Sequence, residues 1–340
     1  RGSAAGSLVS YTLGITDEVF PPFKPVTIKD RTVSVVLRDY RMNGFGLWDS
    51  VISQGRELLA GPIRLRYLTA DGTEGAWTSA VGRFTDTRSH RAEYRATASA
   101  PAVRVETRSE IEMDGMMKVT MVLSPGPTPA SINRLYLEVP LRDSEATLMH
   151  EDTGTMRHNY SGYIPAGEGV VWKSRRATSR PGWRNAFTGY LYLGGEERGL
   201  AWFAENDRGW ITEKNLSNRP LQEIVREGNR VVLRVYFVDI PAVITAPRTI
   251  VFGLQASPAK PMPDDWRTGA RGGGLPVTPW GGHQCADKFP FEDRWEIVDR
   301  IIEQQVTGKD NTTWFKEYQK AHDIPPLRGT EDWVKSVTHF

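Results

Sequence analysis

Hydrophobic and polar residues alternate along most of the first three-quarters of this chain. The alternation is most regular in Val103-Arg104-Val105-Glu106-Thr107-Arg108 and in Val231-Val232-Leu233-Arg234-Val235-Tyr236. A period of two sends successive side chains to opposite faces of a strand, so these segments predict strands buried on one side. The same pattern, bounded by turn residues, predicts strands at 26–28, 32–40, 63–69, 91–98, 103–113, 118–124, 132–140, 170–173, 186–193, 200–205, 231–240 and 249–255. Ala70-Asp71-Gly72, Met113-Asp114-Gly115 and Glu227-Gly228-Asn229 carry the residues of tight turns and predict hairpins. No stretch before residue 256 keeps a helical period over three turns. The expected fold is mainly β: a large antiparallel β-sandwich, with the supersandwich of sugar-mutarotase-like domains as one form open to it.

The pattern changes after residue 256. Pro258, Pro261 and Pro263 cannot continue a ladder, and Gly272-Gly273-Gly274 follows them. Residues 257–279 therefore read as a linker between a sandwich domain over 1–256 and a different unit over 280–340. In that unit a short extended segment at 276–280 precedes Phe291, Trp295, Val298 and Ile302, which recur at helical spacing. Glu292 and Asp293 stand in the first turn, where the helix dipole favours them. A second helix is predicted over 313–321, carrying Trp314, Phe315 and Tyr318. An extended segment followed by an amphipathic helix is how a (β/α)8 barrel begins, so this small α/β segment reads as an incomplete barrel. The expectation is that the chain is the amino-terminal portion of a larger enzyme, or that its tail docks on the sandwich.

Composition narrows the partners. The 340 residues are 39% hydrophobic and 25% charged, and 43 basic against 41 acidic residues leave a net charge of +2. That is an ordinary globular composition, and nucleic acid is not an expected partner because the basic residues form no dense stripe. The single cysteine, Cys285, excludes an intrachain disulfide and any multi-cysteine metal site, without deciding the compartment. No apolar run approaches the length needed to span a bilayer, and Arg1-Gly2-Ser3-Ala4-Ala5-Gly6-Ser7 reads as a processed or engineered start. Eleven tryptophans and eleven tyrosines suit a β protein and suit stacking on sugars.

Two segments carry a resemblance. Residues 194–210, GGEERGLAWFAENDRGW, read as a turn, an apolar strand and a second turn, and residues 252–267, FGLQASPAKPMPDDWR, end a strand in prolines. Together with Gly44-Phe45-Gly46-Leu47-Trp48-Asp49-Ser50-Val51 and the run from Gly55 to Ile63, they resemble the N-terminal β-sandwich region of bacterial glycoside hydrolases like family 123. The resemblance runs between residues 30 and 300. It implies a retaining, substrate-assisted glycosidase acting on a β-linked amino sugar such as N-acetylgalactosamine, in a bacterium that degrades glycans outside the cytoplasm. Secreted, periplasmic and cell-surface locations all fit. An adjacent Asp-Glu pair on a late barrel strand would orient the 2-acetamido group and supply the general acid. Asp17-Glu18 is the one Asp-Glu dipeptide here, and it precedes any plausible barrel, so no catalytic residue is assigned. The remainder of the same polypeptide, or a partner chain, is expected to complete the barrel. A non-catalytic glycan-binding or assembly sandwich is the alternative, and a polysaccharide lyase a weaker one.

Candidate sugar contacts follow from residue type and position. Glu205, Asp207 and Trp210, with Asn206 and Arg208, form a polar cluster at the end of an apolar strand. They suit a loop that touches sugar, although a polar turn in which Asp207 bonds local backbone is the commoner use. Trp183 and Arg184 could supply a stacking platform and a hydroxyl ligand, against the commoner role of tryptophan as core. Trp280, His283 and Lys288 follow the expected first barrel strand, where loops build a barrel's active face. Cys285 and His283 have no orienting third group, so a nucleophile pair is not expected. His150, Glu151, Asp152 and His158 concentrate ligand types without a zinc or calcium spacing. No metal and no cofactor is expected.

Overall fold

A computed structural model describes residues 18–152, 159–174, 187–212, 220–261, 300, 303 and 307–321. The chain divides into two compact units, Arg1–Pro261 and Met262–Phe340. Among the described residues the first unit contains twenty strands in three sheets, and its one helical element is a 3-10 turn at Asp143–Glu145. Every pairing between these strands is antiparallel.

A five-stranded sheet runs in chain order: β1 (Thr27–Lys29), β2 (Thr32–Val35), β3 (Arg38–Met42), β4 (Trp48–Ser53) and β5 (Arg56–Glu57). A nine-stranded sheet is ordered β13 (Ser161–Tyr163), β12 (Leu148–Asp152), β15 (Tyr190–Gly194), β16 (Gly199–Phe203), β20 (Arg248–Ser257), β10 (Met116–Pro125), β9 (Val103–Glu112), β8 (Arg91–Ser99), β7 (Ser79–Thr87). The third sheet is ordered β14 (Gly169–Lys173), β17 (Gln222–Glu227), β18 (Arg230–Val238), β11 (Ser131–Arg142). On β11, the short β19 (Ala242–Val243) continues the β18 side while β6 (Arg64–Thr69) takes the other, as their overlapping registers require.

The two larger sheets share one core, which makes the unit a sandwich. Val105, Val119, Met121, Ile250, Phe252 and Leu254 face inward from the nine-stranded sheet, and Leu135, Leu137, Val139, Leu233, Val235 and Phe237 from the six-stranded one. Phe237 and Phe252 meet across the sheets with centroids 5.6 Å apart. The alternation read in the sequence is this burial: in β9 the residues Val103, Val105, Thr107, Ser109 and Ile111 are buried, while those between them are more exposed. The five-stranded sheet adds Tyr40 stacked on Trp48 at 4.5 Å, and its β3–β4 loop presses against β9, where Ser109 Oγ donates to the Gly46 carbonyl at 2.6 Å.

Several strand boundaries differ from the sequence reading. The segment 32–40 is two strands, because the chain reverses between β2 and β3 with Leu37 at a φ of 66°. A leucine in the left-handed region gives no turn signal, so the reversal is invisible to composition. Strands β4, β5, β7, β12, β13, β17 and β19 were not expected. β7 is a polar edge strand with both faces partly exposed, and β5 and β19 are two residues long. The hairpin turns at Met113-Asp114-Gly115 and Glu227-Gly228-Asn229 join β9 to β10 and β17 to β18. The turn at Ala70-Asp71-Gly72 folds residues 73–75 back antiparallel on the end of β6, with Leu68 bridged to Glu74, the Thr69 amide donating to Thr73 and the Gly75 amide to Tyr67.

In the second unit helix α1 spans Thr312–Ala321. Asp310 accepts from the Thr312 amide at 2.8 Å, and the Phe315 amide closes the first turn on Asn311. Trp314 stacks on Tyr318 one turn later, with centroids 5.2 Å apart. Of the linker expected over 257–279, Ser257 ends β20 and 258–261 are described. The rest of it and the expected barrel strand at 276–280 are outside the described residues, as is most of the first expected helix.

Candidate functional site

The loop after β16 carries three of the expected sugar contacts. Glu205 and Asp207 are exposed, whereas Trp210 is 7% exposed and belongs to the core. Its indole packs edge-on against Phe187, Trp202 and Phe237, with centroids 5.6, 6.4 and 5.1 Å away. The turn itself is built by Asn206, whose Oδ1 accepts from the Arg208 amide at 3.0 Å. Gly209, at a φ of 83°, passes so close to β20 that a Cβ there would lie 2.1 Å from the Thr249 carbonyl. The structure thus brings Glu205 and Asp207 to one exposed loop and turns Trp210 away from it. Trp183, Arg184, Trp280, His283 and Lys288 lie outside the described residues.

A larger cluster, which sequence reasoning missed, covers the outer face of the six-stranded sheet. The residues between the core positions of β6, β11, β17 and β18 converge there. Glu138 accepts from Arg66 Nη1 at 2.9 Å and from Arg234 Nε at 3.3 Å. Arg66 also pairs with Glu74, and Arg134 lies 3.4 Å from Asp239. The Arg134 guanidinium sits over the Tyr236 ring at 4.9 Å, and Tyr236 is 5.3 Å from Tyr136. The Tyr236 hydroxyl donates to Glu223 Oε2 at 2.8 Å, with Lys173 Nζ 3.9 Å from the other carboxylate oxygen. These residues are scattered over about 170 positions of sequence and meet only through strand register, with a bulge in β11.

Electrostatics define what this cluster can do. Burial pushes the Tyr236 phenol far up, and the charge and hydrogen bond of Glu223 push it further, outweighing Arg234 and Arg134. A phenol held protonated in this way is no general base. The outer face of the nine-stranded sheet carries a second network over β7 to β9. There Glu93 accepts from Arg95 Nε at 2.7 Å, Arg108 Nε at 2.6 Å and Thr85 Oγ1 at 2.8 Å. Burial raises the Glu93 carboxyl, but these three donors win and hold it at about 2. The Glu112 carboxyl is shifted upward, by burial and then by the charges of Asp114 and Glu110. Among the described residues no three of His, Cys, Asp and Glu gather to hold a metal. In β12, alternation puts His150 and Glu151 on opposite faces, and His158 lies outside the described residues.

Residues 26–183 match the family model described as glycoside hydrolase 123, third domain. Over this region the chain is similar to that domain. The matched span begins just before β1 and runs past β14, so it includes both outer-face networks' strands β6 to β9 and β11 but stops before β15. No curated protein matches the chain. Among solved structures, the Slr1438 protein from Synechocystis sp. PCC 6803 is 8% identical with a TM-score of 0.37, covering 71% of this chain and 97% of its own. A putative aldose 1-epimerase from Escherichia coli K12 is 9% identical with a TM-score of 0.36, covering 69% and 98%. The heparan sulfate lyase HepC from Pedobacter heparinus is 11% identical with a TM-score of 0.35, covering 66% and 33%.

The segments that carry the resemblance are structural. Trp202, Trp210, Phe252 and Leu254 are core, Gly209 fits beneath a backbone carbonyl, and Gly194 and Gly199 pair at the β15–β16 turn. In the opening segment Asn43 Oδ1 accepts from the Phe45 and Leu47 amides, and Glu57 Oε1 accepts from the Val51 and Leu59 amides. Each motif residue among these serves a turn or the core. No helix among the described residues is long and apolar enough to cross a membrane.

Proposed function

We propose that this chain works on glycans as the sandwich region of a retaining, substrate-assisted hydrolase of the β-N-acetylhexosaminidase type, with an N-acetylgalactosamine-like sugar as substrate. The family match over residues 26–183 carries this reading. In this chemistry the sugar's own 2-acetamido oxygen attacks the anomeric carbon, one carboxylate orients the amide, and a second protonates the leaving oxygen. The described acids of the sandwich serve other ends: Glu93, Glu138 and Glu223 are held by arginine, lysine or tyrosine donors. Bond cleavage therefore belongs to a barrel, of which residues 280–340 are the first part, completed by the rest of the polypeptide or by a partner chain. Glycan substrates of this kind place the protein in the periplasm, at the cell surface or outside the cell. Trp280, His283 and Lys288 of the expected barrel, and separately Trp183, Arg184, Glu205 and Asp207 of the sandwich region, are the proposed substrate contacts.

A non-catalytic glycan-binding role is the second reading, favoured by one observation: the sole Asp-Glu dipeptide, Asp17-Glu18, precedes the first strand. The lyase reading gains nothing from Tyr236, whose hydroxyl keeps its proton and donates it in a hydrogen bond to Glu223. A panel of nitrophenyl β-glycosides separates the readings, assayed with this chain and with any longer product of its reading frame. Substrate assistance predicts turnover of 2-acetamido glycosides and none of their 2-hydroxy counterparts. Equal turnover of both overturns substrate assistance, and glycan binding without turnover by any form supports the binding module.

A further inference from the structure

The outer face of the nine-stranded sheet is divided into two halves of opposite character. Over β7 to β9 it is the interlocked charge network of Glu93, Arg95, Arg108 and Glu110. Over β13, β12, β15, β16 and β20 it is aromatic. The inward positions there are Met149, Leu191, Leu193, Leu200, Trp202, Phe252 and Leu254, so alternation sends His150, Tyr190, Tyr192, Phe203, Val251 and Gln255 outward. Strand register aligns them. His150 is opposite Tyr192, Tyr190 opposite Phe203, and Phe203 opposite Gly253, while Tyr163 extends the face onto β13.

The rings lie down on the sheet. A Cβ on Gly253 would come within 2.3 Å of Phe203 Cε2 and Cζ, so the Phe203 ring occupies the space above that glycine. The Tyr192 hydroxyl reaches over the Gly194–Gly199 pair in the same way and bonds the Gly195 carbonyl and Ser257 Oγ, both at 3.2 Å. Tyr190 and Phe203 are within 23° of parallel, with centroids 6.5 Å apart. Tyr163 is 76% exposed, and Tyr160 and Val251 are exposed as well. Five adjacent strands give a platform about 19 Å across at the usual strand spacing.

Polar groups interrupt the platform without charging it. His150 Nδ1 is engaged by Ser161 Oγ at 2.6 Å and the Tyr160 carbonyl at 3.1 Å, which leaves Nε2 as the nitrogen open to a ligand. Gln255, in the row of His150 and Tyr192, has a buried side-chain amide nitrogen without a hydrogen-bond partner among the described residues. Burial pushes the Tyr190 and Tyr192 phenols up, so both stay neutral. Among the described residues of the central row, formal charge stands at its ends, Asp152 beside Tyr190 and Lys118 beside Gly253.

We propose that this face binds a neutral glycan chain, with sugar rings laid against Tyr163, Tyr190 and Phe203 and hydroxyls served by His150. A sugar ring presents a flat face of C–H groups rimmed by hydroxyls, which matches flat aromatic rings interleaved with uncharged donors. A wholly apolar partner would leave the imidazole unserved, and among the described residues of this face a polyanion would meet no cation row. The choice of a glycan rests on the glycoside hydrolase relationship, whereas the platform rests on geometry alone.

The test is affinity electrophoresis of the whole chain in neutral polysaccharides, with and without N-acetylhexosamine units, and in a uronate polymer. Phe203→Ala, Tyr190→Ala and Tyr163→Ala are compared with Val81→Ala, an exposed apolar position on β7. The proposal expects retardation in a neutral polymer, weakened about tenfold or more by loss of a platform ring and unchanged by Val81→Ala. Circular dichroism and thermal midpoints control for folding, and the highly exposed Tyr163 keeps the test open if Phe203→Ala fails to fold. Binding that survives all three ring truncations overturns the platform but leaves the glycan reading standing. No retardation in any neutral polymer overturns the platform while the nitrophenyl panel still decides hydrolysis. Preference for the uronate polymer, or self-association lost in Tyr163→Ala without glycan binding, overturns it in favour of an anionic ligand or a second copy.

Discussion

Replacing Arg38 with methionine should cost this protein about 3 kcal/mol of stability. Arg38 is 2% exposed on β3, and backbone carbonyls surround it. Its Nη1 donates to Ala256 at 2.7 Å, its Nη2 to Asp114 at 2.8 Å and Ala259 at 2.7 Å, and its Nε to Val36 at 3.2 Å. These bonds tie the five-stranded sheet to the β9–β10 hairpin and to the chain leaving β20. Hydrogen bonds from a charged donor are worth about 1.5–3 kcal/mol each, so four of them exceed about 6 kcal/mol. Methionine keeps the length and recovers the desolvation cost of the cation, several kcal/mol, which leaves about 3. Urea unfolding of the wild type and of Arg38→Met measures the difference, with the slope unchanged if both states keep their compactness. For a unit of this size the thermal midpoint should fall by about 6–12 °C. A loss under about 1 kcal/mol would refute the reasoning, because it would mean that these carbonyls find water as readily as the guanidinium.

Three further outcomes follow from the same contacts. Glu93 is held at about 2, below its ordinary 4.5, so its stabilisation is present above pH 4.5 and lost as pH falls through about 2. Acid titration of Glu93→Gln should lack that part of the decline and start from a lower stability at neutral pH. Burial pushes Tyr40 up to about 12, so its share of stability is full below pH 10 and lost as pH rises towards 12. Alkaline unfolding followed by tyrosinate absorbance should therefore be shallower over that window in Tyr40→Phe. Trp210→Ala should cost about 3–5 kcal/mol as a core truncation, whereas Asp207→Ala on the same loop should stay within about 0.5 kcal/mol, both read by urea unfolding.

How much of this was legible depends on where the information sits. Strands buried on one face announce themselves, as β9 and β18 do, because the core demands every second residue. Strands with little to bury do not: β7 alternates polar residues along an edge, and β12 mixes His150, Glu151 and Asp152 with two apolar side chains. The reversal between β2 and β3 uses Leu37 rather than glycine or asparagine, so no composition rule marks it. The loop at 205–210 was legible as a turn, but which way Trp210 points depends on Phe187 and Phe237, both distant in sequence. The aromatic face was the least legible. Tyr163, Tyr190 and Phe203 stand on separate strands; the pairing register brings Tyr190 level with Phe203 and puts Tyr163 on the same face, in the row of Leu148. A partial signal was present in Gly253 and Gly199, glycines inside strands, which commonly mark close approach by another group.

The central claim is that this sandwich handles glycans. Equilibrium titration of the chain against a series of neutral oligosaccharides, with and without 2-acetamido groups, tests it most directly. Saturable binding to at least one acetamido-bearing member is the predicted result; no binding across the series would contradict the account.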